Sequence, residues 1–294
     1  MRIVVTGAGG FIGSYLARAL AERGDEVEGW TRATIDITDG NAVRAALERS
    51  APGAVVHLAA QSLPMRSWAE PGETYRVNVG GAINLLEAAR ALARPPRLLI
   101  AGSSAEYAEP AGGAPIAEDA PLAPNSPYAA SKTAADELAR MYGRRYELDI
   151  VRFRPFSLVG PGKTGDVCSD FAARIVAIER GAEPAFRTGD LTAVRDMIDV
   201  RDGVAGVLRL LDAGAPGEVY NVCGGRGVAI GTVLETYRRL TAAPVAVMQD
   251  PALLRPLEHA VKIGDPAKLR GLGWAPAIAL DETLRAILED ARAR

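Results

Sequence analysis

Short apolar runs alternate along the chain with stretches of helical periodicity. Residues 2–6, 26–30, 54–59, 97–102 and 149–153 form compact runs, mostly rich in Val, Ile and Leu, without strict apolar–polar alternation. Parallel strands buried on both faces read this way. Between them, residues 13–23, 41–49, 73–92 and 127–146 place apolar side chains at helical spacing. Strand–helix–strand alternation predicts right-handed βαβ units and an α/β fold, a Rossmann-type doubly wound parallel sheet. Residues 218–223 read as one more strand, and the less regular remainder as a smaller C-terminal lobe. The expected division assigns residues 1–155, with about 196–223, to the sheet domain, and about 156–195 with 224–294 to the lobe. Segment 108–127 carries five prolines with Gly112 and Gly113. A structureless loop of about 20 residues in a compact domain is usually functional, so this one is expected to border a site.

The chemistry begins where the first run ends. Thr6 is followed by Gly7-x-x-Gly10-x-x-Gly13, with Phe11 and Ile12 inside the pattern, and then by the first helical stretch. Glycines there permit a tight turn and bring backbone N–H groups close to a pyrophosphate, while the helix N-terminus adds partial positive charge. A dinucleotide is the implied cofactor. An acid at the end of the second strand would suit the ribose 2′-hydroxyl of NAD; Thr31-Arg32 stands there instead. A guanidinium suits a 2′-phosphate, so NADP(H) is favoured, with NAD(H) the alternative. Asp36-Ile37 is placed to meet the adenine, and the small end of the third run, Leu58-Ala59-Ala60, lets the cofactor lie close. His57 is expected to be structural.

Ser126 and Pro127 are N-cap and first-turn residues of the helix that carries Tyr128 and Lys132. An i, i+4 pair shares a helix face, and the ammonium is expected to lower the tyrosine pKa, fitting Tyr128 to exchange protons near neutral pH. The fourth run ends in Ser103-Ser104, at the carboxyl edge of the sheet where such folds bind ligands.

Formal charge is −2 with no basic run, which argues against nucleic acid as a partner. Two cysteines, Cys168 and Cys223, and two histidines, His57 and His259, make neither a disulfide framework nor a metal site. No apolar run approaches the roughly 20 residues of a membrane span. With no signal-peptide pattern before the first strand, a cytoplasmic enzyme is expected.

In their order, the glycine loop, His57-Leu58-Ala59-Ala60, Asn78-Val79-x-Gly81, Ser103-Ser104-x-x-Tyr107 and Tyr128-x-x-x-Lys132 resemble the extended short-chain dehydrogenase/reductase family, in its NAD-dependent epimerase/dehydratase group. The resemblance implies that Ser103, Tyr128 and Lys132 are catalytic, that Lys132 and Tyr128 also touch the cofactor, and that Ser104 lies beside the substrate. It implies a structural role for Asn78. It further implies a homodimer built from the 73–92 and 127–146 helices, whose stripes include Leu85, Leu86, Ala89, Leu138 and Met141. Downstream, Arg154-Pro155-Phe156, Gly160-Pro161-Gly162, Ala193-Val194-Arg195-Asp196 and Leu254-Arg255-Pro256 resemble GDP-4-dehydro-6-deoxy-D-mannose reductases. That narrower likeness implies a nucleotide-sugar substrate whose C4 ketone is reduced, Arg195 and Arg255 on its diphosphate or ribose, and segment 156–174 over its base. A nucleotide-sugar 4-epimerase with retained NAD⁺ is the alternative. Such enzymes usually carry Asn after Arg-Pro-Phe, often followed by His; Ser157 and Leu158 stand there and leave nucleotide and sugar open. Related dehydratases need an acid two residues after the catalytic hydroxyl, where this chain has Ala105, so dehydration is disfavoured.

Overall fold

The computed structural model describes residues 1–253 and 261–294. The chain opens with β1 (Arg2–Thr6), α1 (Phe11–Glu22), β2 (Glu26–Trp30), α2 (Gly40–Ser50) and β3 (Ala54–His57). Next come α3 (Pro64–Ala69), α4 (Pro71–Tyr75), a π-turn at Arg76–Gly80, α5 (Gly81–Ala91) and β4 (Arg97–Ala101). Then follow α6 (Pro127–Tyr146), β5 (Ile150–Pro155), β6 (Ser157–Val159), α7 (Val167–Glu179), β7 (Phe186–Thr188), β8 (Val194–Asp199), α8 (Val200–Ala213) and β9 (Val219–Val222). β10 (Gly227–Ala229), α9 (Ile230–Leu240), β11 (Val247–Gln249), β12 (Val261–Lys262), α10 (Ala267–Arg270) and α11 (Leu280–Ala293) end the described elements.

Six parallel strands form the main sheet in the order β2-β1-β3-β4-β5-β9. Successive strand residues face opposite ways, so each strand feeds two cores. Ile3, Val5, Val56, Leu99 and Phe153 pack with Leu16 and Leu20 of α1 and with Val204 and Val207 of α8. Val4, Val55, Leu98, Ile100 and Ile150 pack on the other side with Val43 and Leu47 of α2 and Leu85, Leu86 and Ala89 of α5. Helices on both faces explain the continuous apolar runs. β2, the least apolar run, lies at the sheet edge. Strand order reverses between β1 and β3, and ligands of such sheets bind in the crevice at their carboxyl ends.

A second sheet pairs β10-β8-β12, with β6 also on β8, and β11 pairs β7. Its core joins Phe171, Ile175, Phe186, Val233, Tyr237 and Leu284 from α7, β7, α9 and α11. Because β8 belongs to this second sheet, the chain rejoins the layer of the main sheet at α8, from residue 200 rather than from about 196.

Three expectations are corrected. The helix expected over 73–92 is interrupted by the π-turn, because Asn78 turns inward: its amide Nδ2 donates to Gln61 O at 3.1 Å and to Ser131 Oγ at 2.9 Å. Segment 108–127 is neither structureless nor part of the cleft wall. Ile116 N donates to Ile263 O and Asp265 N donates to Ile116 O, each at 2.8 Å, and Ile116 is buried with Tyr107, Phe156 and Cys223, so the segment straps the two sheets together. Leu85, Leu86 and Ala89 are fully buried against the protein's own sheet and are not free for a partner. Met141 of the expected stripe is exposed, as are Tyr75, Ile83 and Tyr146 on these helices and Met65 and Trp68 on the neighbouring α3.

Candidate active site

At the end of β1 the chain must turn within van der Waals contact of the next strand. Gly7 has φ +71°, and a Cβ there would lie 2.8 Å from Ala59 N. A Cβ on Gly13 would lie 2.2 Å from Gly7 O. Neither position admits a side chain. Gly10 N donates to Gly7 O at 2.9 Å, and Gly10 caps α1 without any side-chain hydrogen bond. The first amides of α1, at Phe11, Ile12 and Gly13, therefore face the cleft uncapped, which is how a helix N-terminus receives an anion. This cradle fits a dinucleotide pyrophosphate.

Thr6 ties the floor together. Its Oγ1 accepts from Leu58 N at 3.2 Å and Ala59 N at 3.1 Å and meets His57 Nδ1 at 2.8 Å. With both lone pairs engaged, the hydroxyl proton goes to Nδ1, leaving the ring proton on Nε2. Burial holds the His57 pKa down to about 3, and Lys132 adds to the effect. His57 is a neutral structural imidazole. These captured amides also end β3 at His57, two residues before the expected limit.

The cleft encloses about 790 Å³, within the range of ligand sites. It gathers Gly7, Gly10, Phe11, Ile12, Gly13, Arg32, Asp36, Ile37, Leu58, Ala59 and Ala60 together with Ser103, Tyr128 and Lys132. Arg32 is 73% exposed and lies 3.8 Å from Glu73 Oε1, a loose surface pair from which it is free to turn. The Asp36 carboxylate accepts from Thr38 N at 2.9 Å and Thr38 Oγ1 at 2.8 Å, and those hydrogen bonds hold its pKa below the usual range.

Ser126 caps α6 through Oγ, accepting from Ala129 N at 3.2 Å, and Pro127 opens the first turn. Ser131 Oγ donates to Tyr128 O at 2.7 Å while accepting from Asn78, so the π-turn fixes the start of α6. Ser103 caps a 3₁₀ turn, Ser104–Glu106: Oγ accepts from Ala105 N at 3.1 Å, and Ser103 N donates to Glu106 Oε1 at 2.6 Å. Ser103, Tyr128 and Lys132 all line the cleft. The lowering of the Tyr128 pKa expected from Lys132 is reversed. Burial pushes the phenol up, the neighbouring Ser103 hydroxyl only partly opposes this, and Glu106 adds to the rise. Burial lowers the Lys132 pKa as well, and the Glu106 and Asp136 carboxylates oppose that by favouring its ammonium.

Behind this triad lies a buried ionic network absent from the sequence reading. Asp136 Oδ2 accepts from Arg152 Nη1 at 2.9 Å and Arg154 Nη2 at 2.6 Å. Arg154 also pairs with Glu106 at 3.1 Å and stacks over the Tyr107 ring. Burial and Asp136 raise the Glu106 carboxyl to about 7, against the pull of Arg154. Glu106 faces this network rather than the cleft, and Ala105 offers no acid beside Ser103.

Not every anticipated contact reaches the cleft. Ser104 opens the 3₁₀ turn, and Ser157 lies between the lining residues Phe156 and Leu158, so neither lines it. Arg195 stands on β8 in the second sheet and donates to Val194 O at 3.0 Å. Arg255 lies outside the described residues, as do Leu254, Pro256 and His259. Gln61, Lys163, Thr164 and Gly165 line the cleft without having been anticipated individually. Among the described residues no helix is long and apolar enough to cross a membrane.

Comparison with known proteins matches residues 3–223 to the model of the NAD dependent epimerase/dehydratase family. GDP-6-deoxy-D-mannose reductase of Pseudomonas aeruginosa is 33% identical over 301 residues, covering 100% of this chain and 98% of that one. The structure of RMD from Pseudomonas aeruginosa complexed with NADPH superposes with a TM-score of 0.92 at 32% identity, with 99% of each chain covered. UDP-glucose 4-epimerase of Thermus thermophilus, complexed with NAD, gives a TM-score of 0.89 at 30% identity, again over 99% of both chains.

Proposed function

The chain belongs to the NAD-dependent epimerase/dehydratase family, in the extended short-chain dehydrogenase/reductase fold, and we propose that it reduces the C4 ketone of a nucleotide-linked 4-keto-6-deoxyhexose with NADPH. The observation that carries this reading is the convergence of Ser103, Tyr128 and Lys132 on the cleft that also holds the glycine cradle, with burial keeping the Tyr128 phenol protonated. A bound nicotinamide dinucleotide supplies hydride to the ketone carbon. Ser103 donates to the carbonyl oxygen and polarises it, and Tyr128 gives that oxygen its proton as the C4 alcohol forms. Lys132 holds the nicotinamide ribose and Tyr128 in place. Residues 1–155, with the layer resumed at α8, hold the cofactor, and the second sheet with its helices holds the sugar nucleotide. Ala105 and the averted Glu106 support reduction over dehydration. Two buried free cysteines suit a reducing cytoplasm.

The second reading, a nucleotide-sugar 4-epimerase, uses the same three residues and is kept alive by the likeness to UDP-glucose 4-epimerase. An epimerase is expected to retain NAD⁺ through purification. The test is NADPH and NADH consumption against GDP-, dTDP- and UDP-4-keto-6-deoxy sugars, together with the absorbance spectrum of the protein as purified. Turnover of at least one ketone by cofactor-free protein supports the reductase; bound NAD⁺ with no consumption overturns it.

Preference for NADPH rests on Arg32. Arg32→Ala is expected to weaken NADPH by about 10–100-fold through loss of a charge-assisted contact and to leave NADH nearly unchanged. Equal losses in fluorescence titrations of both cofactors would refute the 2′-phosphate assignment.

A homodimer is proposed through the helices that pack around α6, where Met65, Trp68, Tyr75, Ile83, Met141 and Tyr146 are exposed. Apolar side chains grouped this way mark interaction surfaces. Light scattering should give a dimer mass, reduced to monomer by Trp68→Glu. A monomer across a wide concentration range would exclude the dimer.

A further inference from the structure

Arg32 shares the cleft wall with Asp36, Arg66, Glu73 and Arg76, and these charges act on one another. Glu73, on α4, holds Arg76 with both carboxylate oxygens: Arg76 Nε donates to Oε2 at 2.7 Å and Nη2 to Oε1 at 2.9 Å. The same Oε1 lies 3.8 Å from Arg32 Nη2, the one ion pair of Arg32 among the described residues. From α3, Arg66 adds its charge to Glu73 while donating to Glu70 at 2.9 Å. Arg76 also donates to Thr38 Oγ1, whose own proton goes to Asp36. Hydrogen bonds from Arg76, with the charges of Arg76, Arg32 and Arg66, hold the Glu73 carboxyl below its ordinary range. Glu73 is an anion at neutral pH.

β2 ends without an acid, but the fold brings a carboxylate to Arg32 from α4 instead. The three arginines are matched by Asp36, Glu70 and Glu73, so this wall offers a 2′-phosphate no surplus of positive charge. Like charges a few ångströms apart repel even in water, and a phosphate on Arg32 has to contend with Glu73 for the same guanidinium. We propose that Glu73 sets the choice between NADPH and NADH by competing with the 2′-phosphate for Arg32. This rests on the reading of Arg32 given above. An exposed pair at that distance holds weakly, so Glu73 tempers the preference for NADPH without abolishing it.

Fluorescence titration of the whole cofactor-free protein with NADPH and with NADH tests this in wild type, Glu73→Gln, Arg32→Ala and the double variant. Glu73→Gln should bind NADPH about threefold to tenfold more tightly, the effect of removing one unit charge a few ångströms away. Its affinity for NADH should not change. In the Arg32→Ala background the gain should vanish, because both effects act on one guanidinium. The Tm of Glu73→Gln should stay near that of wild type, since an exposed pair contributes little to stability. Unchanged NADPH affinity, equal shifts for both cofactors, or a loss confined to NADH overturns the role of Glu73. A lowered Tm with both cofactors weakened also overturns it and marks a structural carboxylate. When Arg32→Ala discriminates between the cofactors and Glu73→Gln does not, Glu73 alone is excluded. When Arg32→Ala weakens both cofactors equally, the 2′-phosphate reading falls and takes the Glu73 competition with it.

Discussion

Tyr128→Phe is expected to lower the rate of hydride transfer by about 10²–10⁴-fold, the range for loss of a positioned general acid. The substitution keeps the ring but removes the proton that the carbonyl oxygen must receive. Ser103→Ala removes one donor to the developing alkoxide and should cost about 10²–10³-fold. Both variants should bind NADPH almost normally, because neither hydroxyl belongs to the glycine cradle. Lys132→Met should damage turnover and cofactor binding together. Single turnovers with pre-bound NADPH separate these effects. The buried phenol also fixes a pH dependence. Burial raises its pKa above the ordinary 10.0, so the donor is fully protonated below that value and is lost only as pH rises beyond it. Reduction limited by this step should be flat through neutral pH, without the fall that a tyrosine lowered by lysine would produce. Retention by Tyr128→Phe of more than about a tenth of the wild-type rate, below the general-acid range, would exclude Tyr128 as the acid.

Asp136→Ala should destabilise the protein by about 3–5 kcal/mol, the penalty for breaking a buried ion pair from one side. Asp136 is fully buried between two guanidiniums at 2.9 and 2.6 Å. Without it, among the described residues, Arg154 keeps Glu106, the Glu118 carbonyl and the Tyr107 ring, and Arg152 keeps Gly217 O at 3.2 Å. Among the described residues the network is not fully hydrogen-bonded: Asp136 Oδ1 and Arg152 Nε have no hydrogen-bond partner, and Arg154 Nε meets Glu106 Oε2 at 3.1 Å as an ion pair alone. Its value is therefore positional more than energetic. Glu106 grips Ser103 N, and Arg154, itself anchored by Asp136, holds Glu106 against the Ser103 turn. Asp136→Asn keeps an acceptor and should lose less stability. Chemical denaturation measures both, and a loss below about 1 kcal/mol in Asp136→Ala, typical of exposed pairs, would show that the arginines find other partners.

Local signals were the legible ones. β2 and α6 fall on their expected limits because a short strand at a sheet edge and a Ser-Pro helix start are written in neighbouring residues. The glycine cradle, Ser103, Tyr128 and Lys132 converge on one cleft, as strand-end motifs of a parallel sheet should. α1 begins at Phe11 rather than 13 because Gly10 caps it through backbone alone, leaving no side-chain signal. The π-turn was hidden because Asn78 departs from the helix to serve partners 17 and 53 residues away. Of Glu106, Asp136, Arg152 and Arg154, only Arg154 belonged to a motif, Arg154-Pro155-Phe156, and nothing local joined it to the others. Only the pairing of β4 with β5 and the packing of α6 bring them together in the interior. The second sheet was illegible for the same reason. Several of its strands have three residues or fewer, too short for any period to register, and they are held by neighbours far along the chain.

The most direct test of the central claim is the stoichiometry of cofactor and sugar. Purified protein incubated with NADPH and GDP-4-keto-6-deoxymannose should consume one NADPH for each ketone converted to alcohol, with no exchange between C4 epimers of the product. Interconversion of C4 epimers on tightly held NAD⁺, without net NADPH consumption, would contradict it.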